Sequence, residues 1–318
     1  MEIIAQHGQT LIILAVMFGL FMTWGIGAND VANALGTSVG SGAISVRTAI
    51  IVAAIFEFAG AALAGGHVTE TIRKGIINPE LIADRPDILI YGMLAALLAA
   101  GTWLALASVR GWPVSTTHSI VGAIVGFAVA GIGVDAVNWG KIGQIVASWV
   151  VSPLLGGGFA FLLMMSIRKL ILGAQNPLES AIRWAPVYAF LTGFAIALVT
   201  MFKGLKHLEI DLDLPESLLL AALFGAVVAW IGRVMGRRIE IDPASDESFQ
   251  FAGVERVFAP MIVFTACAMA FAHGSNDVAN GIGPLTAVFG LVKSGGEIAQ
   301  QMPLPLWILA LGGVGIVL

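Results

Sequence analysis

Gly27-Ala28-Asn29-Asp30-Val31-Ala32-Asn33 recurs, 247 residues further on, as Gly274-Ser275-Asn276-Asp277-Val278-Ala279-Asn280. Both put one carboxylate and two amides directly after an apolar run, Leu11 to Trp24 in the first case and the run following Arg256 in the second. Gly36 and Gly283 match at the same spacing, so the similarity extends beyond seven residues. The surroundings are those of a lipid-embedded chain. Of 318 residues, 58% are apolar and 11% charged, against about 25% charged in a water-soluble domain, and mean hydropathy is +0.92. Such a chain lacks the polar residues to cover itself in water, and a net charge of -4 gives nucleic acid no basic surface to bind. The single cysteine, Cys267, excludes an intrachain disulfide or a thiol-rich metal site.

A spanning helix needs about 20 mostly apolar residues. Candidate spans lie near 10–28, 44–66, 88–109, 114–133, 142–167, 187–205, 217–235, 258–273 and 303–318. No basic segment precedes the first, so it reads as a retained span and not a cleaved leader. Glycine or polar residues interrupt most of them, which points to broken or re-entrant helices lining a site. Loops rich in Lys and Arg tend to be cytoplasmic. On that rule the loops with Arg168, Lys169 and Arg183, and with Arg233, Arg237, Arg238 and Arg256, face the cytoplasm. The loop with Lys203, Lys206, Glu209, Asp211, Asp213 and Glu216 then lies outside, as does the N-terminus. Arg73, Lys74 and Arg85 fall outside against the rule, accompanied by Glu70, Glu80, Asp84 and Asp87.

The polar segment 239–256 reads as a cytoplasmic linker between a first repeat with its following helices, 1–238, and the start of a second repeat, 257–318. The first motif copy follows a span starting outside and the second a span starting inside. The expectation is an all-α polytopic membrane protein built on inverted-topology repeats, with binding groups at the repeat interface.

On a helix, the two amides of each copy stack one turn apart with the aspartate beside them. Asn29, Asp30, Asn33, Asn276, Asp277 and Asn280 thus supply hard oxygen ligands for sodium or a similar cation. An asparagine pair sealing a helix interface would give the same pattern, although an aspartate in a span costs about 2.5 to 3.5 kcal/mol. A second constellation is Pro113-Val114-Ser115-Thr116-Thr117-His118, followed by an apolar run. With Pro113 expected at the first helical position, free backbone N–H groups and the hydroxyls of Ser115, Thr116 and Thr117 form a donor cluster for a tetrahedral oxyanion. Plain N-capping by Ser115 accounts for one hydroxyl and leaves two, while His118 suits a packing role.

Neither motif contains Lys or Arg. If the motifs converge, an oxyanion faces Asp30 and Asp277, and each contact at 4 Å opposes binding by about 4 kcal/mol at an effective dielectric of 20. Cations must then lie between them. Glu57, inside the apolar run Ile50 to Ala64, is a membrane carboxylate with either a functional or a bundle-packing role. Gly36 with Gly40 and Gly122 with Gly126 have the spacing of close helix contacts.

These residues resemble the inorganic phosphate transporter (Pit) family of sodium- or proton-coupled symporters. The resemblance rests on GANDVANALGTSVGSGAIS from Gly27 to Ser45, PVSTTH at Pro113 to His118, and HGSNDVANGIGPLTAV from His273 to Val288. It implies a homodimer whose phosphate site is formed by Asp30, Asp277, Ser115, Thr116 and Thr117, with Asn29, Asn33, Asn276 and Asn280 around the cations and Glu57 as a glutamate needed for phosphate transport. A second PVSTTH would fall beyond Leu318 at the repeat spacing, so the second repeat reads as incomplete.

The function expected is symport of inorganic phosphate across the lipid bilayer of the plasma membrane. Sodium ions are the coupling ions favoured by Asn and Asp oxygens, with protons on Asp30, Asp277, Glu57 or His118 as the alternative; no covalently bound cofactor is expected. A permease for sulfate or another tetrahedral oxyanion uses the same donors, and an anion channel or receptor is the rival from another class. An enzyme is not expected, since no Ser-His-Asp order, HExxH or P-loop occurs.

Overall fold

The computed structural model describes residues 2–65, 75–78, 81–82, 85–204, 212–237, 251–297 and 305–318. Among them run nine α-helices: α1 (Glu2–Gly40), α2 (Val46–Ala64), α3 (Pro86–Val109), α4 (Thr116–Gly131), α5 (Trp139–Ile167), α6 (Pro177–Val199), α7 (Leu214–Gly236), α8 (Ala252–Lys293) and α9 (Leu306–Val317). Seven are long and apolar enough to cross a membrane, and α4 and α9 are shorter apolar helices. An isolated bridge between Ile77 and Val137 is the only β-pairing among the described residues.

The helices α2, α3, α5 and α7 fall close to the expected spans, whereas four boundaries differ. Expected spans 10–28 and 258–273 extend to Glu2–Gly40 and Ala252–Lys293, because a helix satisfies its backbone internally and continues through polar side chains that find protein partners. The span expected at 187 begins at Pro177, with Asn176 accepting from the Glu179 N–H and proline in the first turn. Pro113 is not the first helical residue: α4 begins at Thr116, and Ser115 caps it by accepting from the His118 N–H. Both motif copies therefore sit inside unbroken helices. The interruption falls at 110–115, where Gly111 takes φ +66°, a conformation that favours glycine. Glu70, Arg73, Lys74, Glu80, Asp84, Lys206, Glu209, Asp211 and the 239–250 part of the expected linker lie outside the described residues, while its last residues, from Ala252, belong to α8.

The described chain forms two compact units, one of residues 1–37, 46–144 and 269–318 and one of 38–45 and 145–268. In the second unit α6 and α7 pack at small residues, with Gly193 against Val228 and Gly225 against Phe190. Ile171, Ala181, Ala185, Tyr188, Val254 and Val257 form its core. The stretch Trp139–Leu172 buries none of its most apolar window, and Leu154 and Phe159 are exposed, as expected of a surface solvated by lipid tails.

The first unit carries both motif copies, and four glycines set its spacing. A side chain at Gly27 would strike the backbone of Ile316, and one at Gly274 the backbone of Glu57; Gly60 lies equally close to Phe271, and Gly315 to Thr23. The first residue of each motif copy thus lets its helix cross α9 or α2 in backbone contact, the arrangement small residues permit in lipid. Gly36, Gly40, Gly122 and Gly126, expected at such crossings, have open space where a side chain would go. Spacing marked them as one face of a helix, but among the described residues no atom lies within 4 Å of where their side chains would go.

Candidate functional site

On α8, Met269, His273 and Asp277 recur every four residues and so share one face; on α1, Asn33 and Ala34 lie three and four residues after Asp30 and share its face. Those two faces and the segment Pro113–Thr117 line a cavity of about 510 Å³. The convergence on which the charge argument depended is therefore present within one unit. Among the lining residues are two aspartates and three hydroxyl side chains, and none is Lys or Arg.

The two motif copies build similar corners. Asn33 donates to Asp30 Oδ1 at 3.4 Å, and Asn280 to Asp277 Oδ1 at 3.1 Å. Asn280 is almost fully buried; its amide also reaches Thr117 Oγ1 at 3.1 Å and Thr116 Oγ1 at 3.4 Å, and Thr117 donates to Asp277 at 3.5 Å. One amide thereby ties the start of α4 to α8. Ser115, in capping α4, accepts a hydrogen bond and keeps its own proton to donate. The first-turn N–H groups of α4 and its dipole favour an anion on this wall, facing the carboxylates of the other.

Asn29 and Asn276, read from the sequence as cation ligands, are placed differently. Asn29 accepts from the Val114 N–H at 3.3 Å and donates to the Trp112 carbonyl at 3.1 Å and Ser108 Oγ at 3.4 Å. It braces the turn that delivers Ser115 to Thr117. Asn276 bonds the Ala272 carbonyl of its own helix at 2.8 Å. Glu57, 1% exposed, does not line the cavity; it stands behind it, with Oε1 3.1 Å from His273 Nδ1. His118 lines a different cavity with Trp103, Ser119 and Gly122.

The sequence reading missed His273. Its Nε2 lies 3.2 Å from Asp277 Oδ2 and 3.6 Å from Asp30 Oδ2, which makes it the meeting point of three acidic side chains. A signal was available, since His273 precedes Asp277 by one helical turn inside an apolar run. At the repeat spacing the first copy has Ile26, however, so a search for repeated chemistry passed over it.

Residues 26–318 match the sequence profile of the phosphate transporter family. The chain belongs to that family. Its relatives include the Haemophilus influenzae protein named "Putative phosphate permease", 49% identical over 99% of this chain and 75% of its own length. The Arabidopsis thaliana "Inorganic phosphate transporter 2-1, chloroplastic" is 38% identical over 99% of this chain and 56% of its own. A solved structure described as "The sodium-dependent phosphate transporter" superposes with a TM-score of 0.85 at 39% identity, covering 97% of this chain and 74% of that one. The all-α, multi-pass membrane architecture expected from the sequence is that of a phosphate transporter, which is not an enzyme class. The acidic cavity with its hydroxyl wall is accordingly the candidate substrate site of this family member.

Proposed function

We propose that this chain is a secondary active symporter that carries inorganic phosphate with sodium across the plasma membrane, working as a homodimer. The observation that carries the reading is the cavity's charge. Ser115, Thr116, Thr117 and the start of α4 offer donors to an oxyanion, while Asp30 and Asp277 face the same space without Lys or Arg. Bare, the site repels phosphate. With cations on the carboxylates the repulsion of about 4 kcal/mol per contact is reversed, so phosphate binds well only after its coupling ions. That order prevents the carrier from moving phosphate without spending the ion gradient. Asp30 with Asn33 and Asp277 with Asn280 supply the cation oxygens, and the similar solved structure is of a transporter named as sodium-dependent. Proton coupling is the second reading, favoured by His273 standing among Asp30, Glu57 and Asp277.

The test is uptake of labelled phosphate by the full-length protein in liposomes, first under a sodium gradient with pH clamped, then under a proton gradient without sodium. Sodium-driven accumulation above the external concentration is expected. Uptake only in the second condition overturns sodium in favour of protons, equilibration without accumulation indicates a channel, and equal competition by sulfate removes the phosphate assignment.

A further inference from the structure

Arg110 is the only Lys or Arg between Pro86 and Gly140, a stretch that holds α3, α4 and the hydroxyl wall at the start of α4. Its backbone N–H ends α3 on the carbonyls of Leu106 and Ala107, and Gly111 then turns the chain so that Pro113, Val114 and Ser115 line the cavity. The side chain is exposed. Its guanidinium carbon stands 5.0 Å from the centre of the Trp112 ring, and Trp103 props that ring in turn, 6.2 Å away and tilted by 45°. Asn29 holds the Trp112 carbonyl from α1, so the aromatic platform is fixed to the same turn as the cavity's donors. We propose that Arg110, held over Trp112, is an outer docking residue for phosphate, receiving the anion from water before the cavity's cations are in place and passing it to Ser115, Thr116 and Thr117.

Among the described residues no carboxylate pairs with Arg110, although two aspartates line the neighbouring cavity. Its N–H donors remain open to an anion, and a guanidinium binds phosphate through two parallel charge-assisted hydrogen bonds. Contact of one guanidinium face with the indole leaves the donor edge free. It also restricts the side chain beforehand, so less freedom is lost when the anion arrives. A cation at a helix C-terminus is favoured by the dipole whatever its side chain; that general effect accounts for the charge and not for the aromatic platform. Three residues of chain span at most about 11 Å, which places the Arg110 backbone close enough to Pro113 for its charge to be felt at the cavity's edge, the screening length being about 10 Å. Arg110 ends an apolar helix, so its guanidinium must reach water or a lipid headgroup. The turn it shares with the lining residues favours the aqueous route to the cavity.

This role rests on the reading of the cavity as a phosphate site and concerns how phosphate reaches it. Initial uptake rates are measured with the full-length protein in liposomes at fixed sodium, over a range of phosphate concentrations, with ionic strength raised by choline chloride. Arg110→Gln should raise KM for phosphate about 10-fold at low ionic strength, the lower end for hydrogen bonds to charged groups, with maximal rate and sodium dependence unchanged. Arg110→Glu should raise it further. Arg110→Lys should fall between the parent and Arg110→Gln, because an ammonium keeps the charge and loses the stacked, two-bond geometry. These differences should narrow as salt screens the charge, and a series ordered by charge and erased by salt is one that misfolding cannot imitate. A parental KM in Arg110→Gln, or differences that salt leaves unchanged, would overturn the assignment. So would effects that follow the fraction of anionic lipid in the liposomes, which would give Arg110 to lipid headgroups. Proton coupling in the parent would overturn the sodium reading and leave the comparison of KM values in force.

Discussion

Gly274→Ala adds one methyl where α8 crosses α2. The new Cβ would lie 2.7 Å from Glu57 Cα and collide with its carbonyl, whereas carbon atoms rest at about 3.5 to 4.0 Å. Because the obstacle is backbone and not a side chain that can rotate, the helices must part by about 1 Å. Glu57 rides on the displaced segment, so its 3.1 Å contact with His273 stretches past the range of a hydrogen bond. Overpacking of this kind costs about 1 to 3 kcal/mol of stability, and the lost Glu57–His273 contact should slow phosphate uptake. Initial rates of phosphate uptake in liposomes and thermal melting in detergent measure the two effects. Gly126→Ala is the comparison, since nothing lies within 4 Å of that position, and it should transport and melt as the parent does. A Gly274→Ala protein with parental rate and melting temperature would refute the claim that this crossing positions Glu57.

Asp30→Asn and Asp277→Asn keep side-chain size and remove one charge each, so both should fold yet lose phosphate affinity; transport with unchanged sodium dependence would show the carboxylates to be structural. Asn29→Ala removes the hydrogen bonds to the Val114 N–H and the Trp112 carbonyl, at about 0.5 to 1.5 kcal/mol each. It should raise KM for phosphate by loosening the hydroxyl wall while leaving the sodium dependence intact, and a shift in sodium dependence would return Asn29 to the cation site.

Much of this was legible in the sequence, and the reason differs by feature. Composition and runs of about 20 apolar residues fix a polytopic helical membrane protein, because the bilayer leaves a chain no other way to satisfy its backbone. The duplicated Asn-Asp motif marks where polar groups recur in lipid, and Ser115-Thr116-Thr117 marks the donors. Local patterns extend only as far as one helix, however. They place Asn29 and Asn33 on the same face, and the structure assigns one to bracing the 108–114 turn and the other to Asp30.

The class of molecule, the repeat and the residue types from which the site is made are all readable along the chain, since each follows from contact with lipid or from short-range spacing. Which of those residues meet depends on how the helices pack. His273 has no counterpart in the first motif copy, and Glu57 lies more than 200 positions away along the chain. They come into contact because Gly60 and Gly274 let α2 and α8 touch at their backbones. That crossing depends on the absence of two side chains on separate helices, and no periodicity within either helix records it.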